Sequence, residues 1–306
     1  MRVGRVLLVI AFVAALVGVL LPATAPPAAA HAGGLSSAAS QARVLGLDPP
    51  VPGLQVRAVE FGARLRLDNG TGVPVVVEPL PGSVISGLPT VPPGGTAYWS
   101  DPRITMAADR DAPTRGVLAW SVPLRVGDQP VSVRGEQFWP PPPSPLWWLV
   151  VLAALAVPAV AGVLGAGRRW GRYVLAAATA MVIVAHLVHV FGSAGVPEDQ
   201  PYGLMVLSAA GYALLGWPLG LVGSWLTVRG NPAGPLLCVA AGGLFAVVIT
   251  PIDAFTLVDA VVPYSWGADL DRLLVALTLG GGLGVVVAGV AALRRGLPAP
   301  LPPGPA

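Results

Sequence analysis

The pattern of apolar and polar positions separates the chain into two regions with different periodicity. Between residues 53 and 139, β-branched stretches such as LQVRAVEF and ARLRLDN alternate apolar with polar side chains. Alternation over about four to eight residues is typical of strands with one buried and one hydrated face. Turn sequences such as DNGTG and VGDQ separate these stretches. The pattern predicts an antiparallel β-sandwich of immunoglobulin-like (Ig-like) shape over 53–139.

Long apolar segments follow the predicted sandwich. Each has the length of a membrane-spanning helix, about 20 residues, and the five segments cover 146–167, 173–193, 203–227, 233–255 and 270–293. The proline-rich residues 140–145 predict an extended, semi-rigid stalk, and Trp147 and Trp148 follow it as in an interfacial aromatic belt. We expect the sandwich to stand on this stalk above a lipid bilayer that is crossed by five transmembrane helices within 146–293.

The N-terminus has the pattern of a secretory signal peptide over 1–30. Arg2 and Arg5 precede the apolar run VLLVIAFVAALVGVLL, and AAA at 28–30 is a small-residue cleavage site. The alternative is an uncleaved anchor, since the apolar run is longer than usual in a signal peptide. Cleavage after Ala30 would make His31 the first residue of the mature chain. Residues 31–52 are rich in Ala, Ser, Gly and Pro, and we expect an extended arm there.

Arginines and carboxylates fall into alternate connections between the apolar segments. One set of connections and the tail (294–306) hold Arg168, Arg169, Arg172, Arg229, Arg294 and Arg295. The other set holds Glu198, Asp199, Asp253, Asp259, Asp269 and Asp271 against a single Arg272. Because cytoplasmic loops are enriched in basic residues, we expect a multi-pass protein of the cell membrane. Its sandwich would be extracytoplasmic and its C-terminal tail cytoplasmic.

Composition and motifs exclude several functional classes. Hydrophobic residues make up 54% of the chain and charged residues 11%, compared with roughly 25% charged in soluble domains. The net charge of +3 comes with no basic cluster among aromatics, so nucleic acid is not an expected partner. A single cysteine, Cys238, leaves no intramolecular disulfide. GxSxG, P-loop and HExxH motifs are absent, and GGGLG at 280–284 favours helix packing, so we expect no enzymatic activity.

Two of the three histidines, His186 and His189, are three residues apart in the second apolar segment and share one helix face. Ionisable groups at membrane depth are costly and usually face the bundle interior or a cavity. One interpretation is a metal or proton site, with Asp253 and the more distant Met181 as partners. The other is a pair of imidazoles near the interface whose partners are water or carbonyl groups. Asp269, Asp271 and Arg272 are interpreted as an ordinary helix start.

His31 has a second, separate interpretation. A free N-terminal histidine offers its amino nitrogen and a ring nitrogen to one metal ion, and imidazole is a good ligand for copper. This chelate exists only if the signal peptide is removed after Ala30. The alternative is that His31 simply follows a cleavage site.

The AAAHA junction and the predicted sandwich resemble the CopC-type copper-resistance proteins, whose mature chains begin in the same way. A broader resemblance is to a group of actinobacterial membrane proteins with a signal peptide, a β ectodomain and a C-terminal helical bundle. The matching stretches are VPGLQVRAVEFGARLRLDNGTGVPVVV, WSVPLRVGDQPVSVRG and FWPPPPSP. In that group, histidines surround the tryptophan of the segment seen here as YWSDPRITM. Ser100, Pro102 and Thr105 stand there in this chain, so the resemblance implies that part of a metal site is missing.

These observations favour a non-enzymatic, membrane-anchored extracytoplasmic binding or sensor module that is linked to copper handling. His31, His186, His189 and Asp253 are the candidate metal ligands. Two alternatives remain: a structural envelope protein whose sandwich docks a protein partner, or a small transporter component.

Overall fold

A computed structural model of the protein describes residues 32–78, 80, 90–104 and 116–296. The predicted signal peptide, His31 and most of the C-terminal tail lie outside these residues. The first half contains two antiparallel sheets. One sheet has the order β1-β7-β6-β4, and the other has the order β2-β3-β5. The strands are β1 (Gln41–Asp48), β2 (Leu54–Val59), β3 (Arg64–Asn69), β4 (Val75–Val77), β5 (Thr96–Trp99), β6 (Val117–Val126) and β7 (Gln129–Phe138).

The two sheets enclose one hydrophobic core. In β3 the leucines point inward and the arginines outward, as the strict alternation of this strand predicts. Leu65 and Leu67 from the second sheet pack in the same core as Val122 and Val133 from the first. The strand order within the described residues differs from that of an immunoglobulin domain, in which the first strand pairs with the second. The resemblance to that fold is therefore one of general shape.

The sandwich begins earlier in the chain than the sequence predicts. Residues 41–48, which we expected in an extended arm, form the edge strand β1 and pair with β7 from Gln41↔Phe138 to Asp48↔Ser132. A register shift between Val44 and Gly46 interrupts the alternation, and Ala42 is the one fully buried residue of β1. An edge strand held mainly by main-chain hydrogen bonds leaves little hydrophobic pattern to detect.

The second half is a bundle of six helices within the described residues. They are α1 (Trp147–Gly165), α2 (Arg169–Ala194), α3 (Tyr202–Ala210), α4 (Ala213–Val228), α5 (Gly234–Leu257) and α6 (Ala268–Arg295). The helices α1, α2, α5 and α6 are each long and apolar enough to cross a membrane. The segment that we expected as the third span is bent: α3 and α4 meet at an angle of 70°, the geometry of a broken span or of a re-entrant loop. Gly211, at the break, has a φ of +45° that side chains rarely adopt.

Small residues let α6 pass close to its neighbours. A Cβ at Gly284 would touch Pro158 and a carbonyl of α1, and one at Gly282 would meet the backbone of α5 at Gly242. The glycines of the GGGLG sequence therefore serve helix packing, as the sequence analysis predicts.

The sandwich packs directly against one end of the bundle, which we call the sandwich end. The segment that precedes β1 crosses this end: Ala38 exchanges two main-chain hydrogen bonds with Val261, at 3.0 and 2.9 Å. Arg64 of β3 forms two hydrogen bonds with Asp199, in the α2–α3 connection, at 2.8 and 2.7 Å. The proline-rich residues therefore do not hold the sandwich away from the helices.

Candidate functional site

The candidate site is a group of buried ionisable side chains at the sandwich end of the bundle. His189 of α2 lies between carboxylates from two other helices. Its Nδ1 is 2.8 Å from Oδ1 of Asp271 in α6, and its Nε2 is 3.6 Å from Oδ1 of Asp253 in α5. All three residues are less than 5% exposed. The predicted partnership of His189 with Asp253 is present, and Asp271 adds a second carboxylate.

Local distortions at the ends of α5 and α6 bring the two carboxylates together. A π-helical segment, Leu244–Ile249, precedes Asp253, and such widened turns occur frequently at functional sites. Beyond Asp253 the helix tightens into a 3₁₀ turn, Ala254–Leu257. The chain then returns through a loop to the first turn of α6, in which Asp271 lies.

Arg272 links the end of α5 to the start of α6 through hydrogen bonds. Its Nε donates to the carbonyl of Thr256 at 2.9 Å, and its Nη2 donates to the carbonyl of Asp259 at 3.1 Å. The guanidinium is buried. By joining the end of α5 to the start of α6, Arg272 fixes the distance between Asp253 and Asp271.

Tyr264, from the α5–α6 loop, covers His189 on one side. The two rings are nearly parallel, at 10°, with centroids 6.0 Å apart. The Tyr264 hydroxyl donates to the carbonyl of Val188 at 2.9 Å. Burial, and then the negative charge of Asp271, raise the pKa of the Tyr264 hydroxyl. Tyr264 therefore stays neutral and acts as a packing and hydrogen-bonding group.

His186 extends the site deeper into the bundle. Its ring is 5.8 Å from that of His189, 5.8 Å from Trp217 and 5.2 Å from Phe245, measured between centroids. It is 2% exposed, and its Nδ1 has no hydrogen-bond partner among the described residues. A buried polar atom without a partner is costly. The site can therefore accept a further polar or ionic group.

Counting charges indicates which kind of group the site favours. Asp253 and Asp271 are two buried acids, and the one buried base beside them among the described residues, Arg272, forms an ion pair with a third carboxylate, Asp269, at 3.1 Å. With His189 neutral, the carboxylates of the group outnumber its arginine. An excess of one charge at a buried position is unfavourable. A proton on His189 or a bound cation would each reduce this excess of negative charge.

Metal binding by these residues alone is not preformed. No three His, Cys, Asp or Glu side chains in the described ranges are arranged to hold one metal ion. His31, the remaining candidate ligand, lies outside those ranges. The next residue, Ala32, is fully buried at the site's edge and donates its N–H to Ser193 Oγ at 2.9 Å. Ser193 lies one helical turn from His189.

The first turn of α6 does more than begin a helix. Asp271 lies there as the sequence predicts, but Asp271 and Arg272 are both buried and belong to the site. A signal was present, because Asp271 shares one helix face with Leu274, Val275 and Thr278, at spacings of three, four and seven residues. All four are buried.

Comparison with protein-family models, with curated proteins and with solved structures gives no match to this chain.

Proposed function

We propose that the protein is a multi-pass membrane protein that binds a cation from the extracytoplasmic side, at the site around His189. The observation that carries this proposal is the burial of His189 between Asp253, at 3.6 Å, and Asp271, at 2.8 Å, in a bundle of apolar helices. Ionisable groups in such a bundle mark binding sites or ion pathways by default. The negative charge of the group favours a cation over an anion or a neutral ligand.

The proposed orientation follows from the distribution of arginines. The α1–α2 connection, the α4–α5 connection and the end of α6 carry arginines, and all three lie at the end of the bundle opposite the sandwich. Under the positive-inside rule that end is cytoplasmic. The sandwich and the His189 site then face the outside, with α3 and α4 together forming a broken third span.

Copper is the cation that we propose. Imidazole suits copper, and the carboxylates next to the histidines would supply further ligands once the side chains close around the ion. Ala32, the residue after His31, is buried and donates its N–H to Ser193, one helical turn from His189, which supports a role for His31. We therefore propose that His31, as a free N-terminus, joins His189 in one site, with His186 behind it. The histidines would then act together and not in two separate sites.

The decisive experiment is the metal content of the full-length protein, purified in detergent and dialysed against Cu(II). We expect about one copper per chain, lost in His189→Ala and strongly reduced in Asp271→Asn. The control is Asp128→Asn, which makes the same substitution in the exposed turn between β6 and β7, away from the bundle. It should bind copper as the wild type does. An unloaded wild-type protein would overturn the proposal in favour of a sandwich that docks an envelope protein.

The contribution of His31 has its own test. N-terminal sequencing of membrane-extracted protein should read HAGGL, and His31→Ala should weaken copper binding. Because the chelate needs a neutral imidazole, binding should weaken as pH falls through the range near 6.5. A mature chain that still begins with Met1, or unchanged affinity in His31→Ala, would remove His31 from the site and leave the His189 proposal standing.

A further inference from the structure

A second site lies outside the group around His189. A cleft of about 340 Å³ opens between the sandwich, the segment before β1 and the α5–α6 loop. Ligand sites occur preferentially at such domain boundaries, and cavities of about 300–1,000 Å³ accept small molecules. None of the residues that line this cleft belongs to the His189 site. Its function is therefore independent of the one proposed above.

One wall of the cleft contains a buried amide that is only half satisfied. Gln137 of β7 is 2% exposed, and one end of its amide bonds Ser40 Oγ at 2.7 Å. The other end is buried and has no partner among the described residues. Either orientation of the amide leaves one polar end unpaired. An unpaired amide in a cleft wall is a recognition group for a ligand.

The opposite wall presents a carboxylate on a strained backbone. Glu60 and Phe61 have φ values of +53° and +59°, which non-glycine residues rarely adopt. The segment is fixed by Gly62, where a Cβ would strike the backbone of Ala42. Such strain persists where the surrounding structure imposes it, often at ligand sites. It places Glu60 in the cleft wall, where the buried carboxylate accepts hydrogen bonds at Oε1 from Arg64 and from the N–H of Glu198, with Phe61 beside it, 41% exposed.

The charged side chains between the sandwich and the bundle favour a positively charged ligand. The one basic lining residue, Arg64, is engaged by Asp199 and by Glu60, 3.1 Å away. The surrounding group contains three arginines against four carboxylates: Arg57, Arg64 and Arg66, with Glu60, Asp68, Glu198 and Asp199. The carboxylates therefore exceed the bases by one.

We propose that this cleft binds a small organic cation, an ammonium compound with an aromatic or alkyl body. Glu60 and the free end of Gln137 accept or share its hydrogen bonds, and the exposed ring of Phe61 packs against its apolar part. Leu35 and Pro263 complete the apolar lining. The site would make the sandwich and the bundle the two walls of one receptor for such a compound.

The test is equilibrium dialysis of the full-length protein in lipid nanodiscs with 2-phenylethylammonium. The comparison ligand is 3-phenylpropionate, which has the same ring but a carboxylate. We expect saturable binding of the ammonium compound only. Gln137→Leu should weaken it about tenfold or more, since a hydrogen bond to a charged group is lost. The matched control, Gln129→Leu, changes an exposed glutamine of the same strand and should bind normally.

A second variant keeps the test valid if Gln137→Leu does not fold. Phe61→Gly removes the strain of the positive φ, so we expect it to fold. It should weaken ammonium binding while leaving copper content unchanged. Equal binding of both compounds, preference for the carboxylate, or affinity unchanged in both variants would each overturn the proposal. A failure of copper binding would not, because the two sites share no residue.

Discussion

Replacement of Gly192 by alanine tests whether the packing of Tyr264 supports the His189 site. Gly192 lies on α2, three residues after His189. A Cβ there would fall inside the van der Waals radius of the Tyr264 ring and hydroxyl. Tyr264 is 1% exposed and cannot swing into solvent. The ring must therefore move away from His189, or α2 must move away from the loop.

The expected cost follows from three contributions. Overpacking a buried position costs about 1–3 kcal/mol. Loss of the hydrogen bond between the Tyr264 hydroxyl and the Val188 carbonyl, now 2.9 Å long, costs about 1 kcal/mol more. The higher helix propensity of alanine offsets about 1 kcal/mol of this loss of stability. We expect Gly192→Ala to destabilise the bundle by about 1–3 kcal/mol and to weaken copper binding.

The assay is thermal unfolding in detergent, followed by tryptophan fluorescence and compared with Gly203→Ala. Gly203 lies in α3 with no atom within 4 Å of its added Cβ, so that variant gains helix propensity without a clash. A lower Tm for Gly192→Ala and an unchanged or higher Tm for Gly203→Ala are expected. In a Tyr264→Ala background, Gly192→Ala should cost nothing further, because the clashing ring is gone. Equal Tm values for both alanine variants, or full additivity with Tyr264→Ala, would refute the reasoning.

Three further predictions concern the orientation, the sandwich and its joint with the bundle. Reporter fusions after Arg169, Arg229 and Arg295 should report a cytoplasmic location. Fusions near Glu198 and Ser265 should report an extracytoplasmic location. A cytoplasmic signal at Ser265 would contradict the five-span arrangement. A fragment of residues 41–138 should unfold cooperatively by circular dichroism, whereas 53–138 should be less stable, because removing β1 exposes the edge of β7; equal midpoints would show that β1 is dispensable. Asp199→Asn should loosen the joint by up to about 1 kcal/mol, measured as faster proteolysis between sandwich and bundle. Arg64 lowers the pKa of Asp199. The stabilisation of the joint by this ion pair is therefore fully present above the usual aspartate pKa of about 3.9 and is lost only as the pH falls below that value. A change in the proteolysis rate between pH 5 and 8 that disappears in Asp199→Asn would contradict this expectation.

The parts of the fold that periodicity controls could be predicted from the sequence. Strand β3 alternates because one face is buried, and Trp99 and Trp120 are buried in the core as the alternation implies. The long apolar segments agree with the helices within a few residues. Strand β1 could not be found in this way, since its stability comes from main-chain pairing with β7. The break at Gly211 could not be predicted either, because a glycine in an apolar segment is also compatible with a straight helix.

Part of the site around His189 could also be predicted from helical periodicity. His186 and His189 share a face by spacing alone, and Asp253 is an acid close to the end of a long apolar segment. Which side of the first turn of α6 faces the bundle depends on how α6 packs against α1 and α2, and a single sequence does not contain that information directly. The role of Arg272 depends on carbonyl groups of a loop, Asp259 among them, whose direction no side-chain pattern records.

The chain enters the sandwich from the bundle and returns to it. It leaves the bundle through the segment that ends at Ala38 and comes back through the proline-rich residues before α1. A third attachment lies between them, where Arg64 and Arg57 form ion pairs with the α2–α3 connection. The sandwich is therefore held by the main chain at two places and by side chains at another. Because Ala38 pairs with Val261, a displacement of the sandwich would act first on the loop that carries Tyr264, whose ring stacks beside His189.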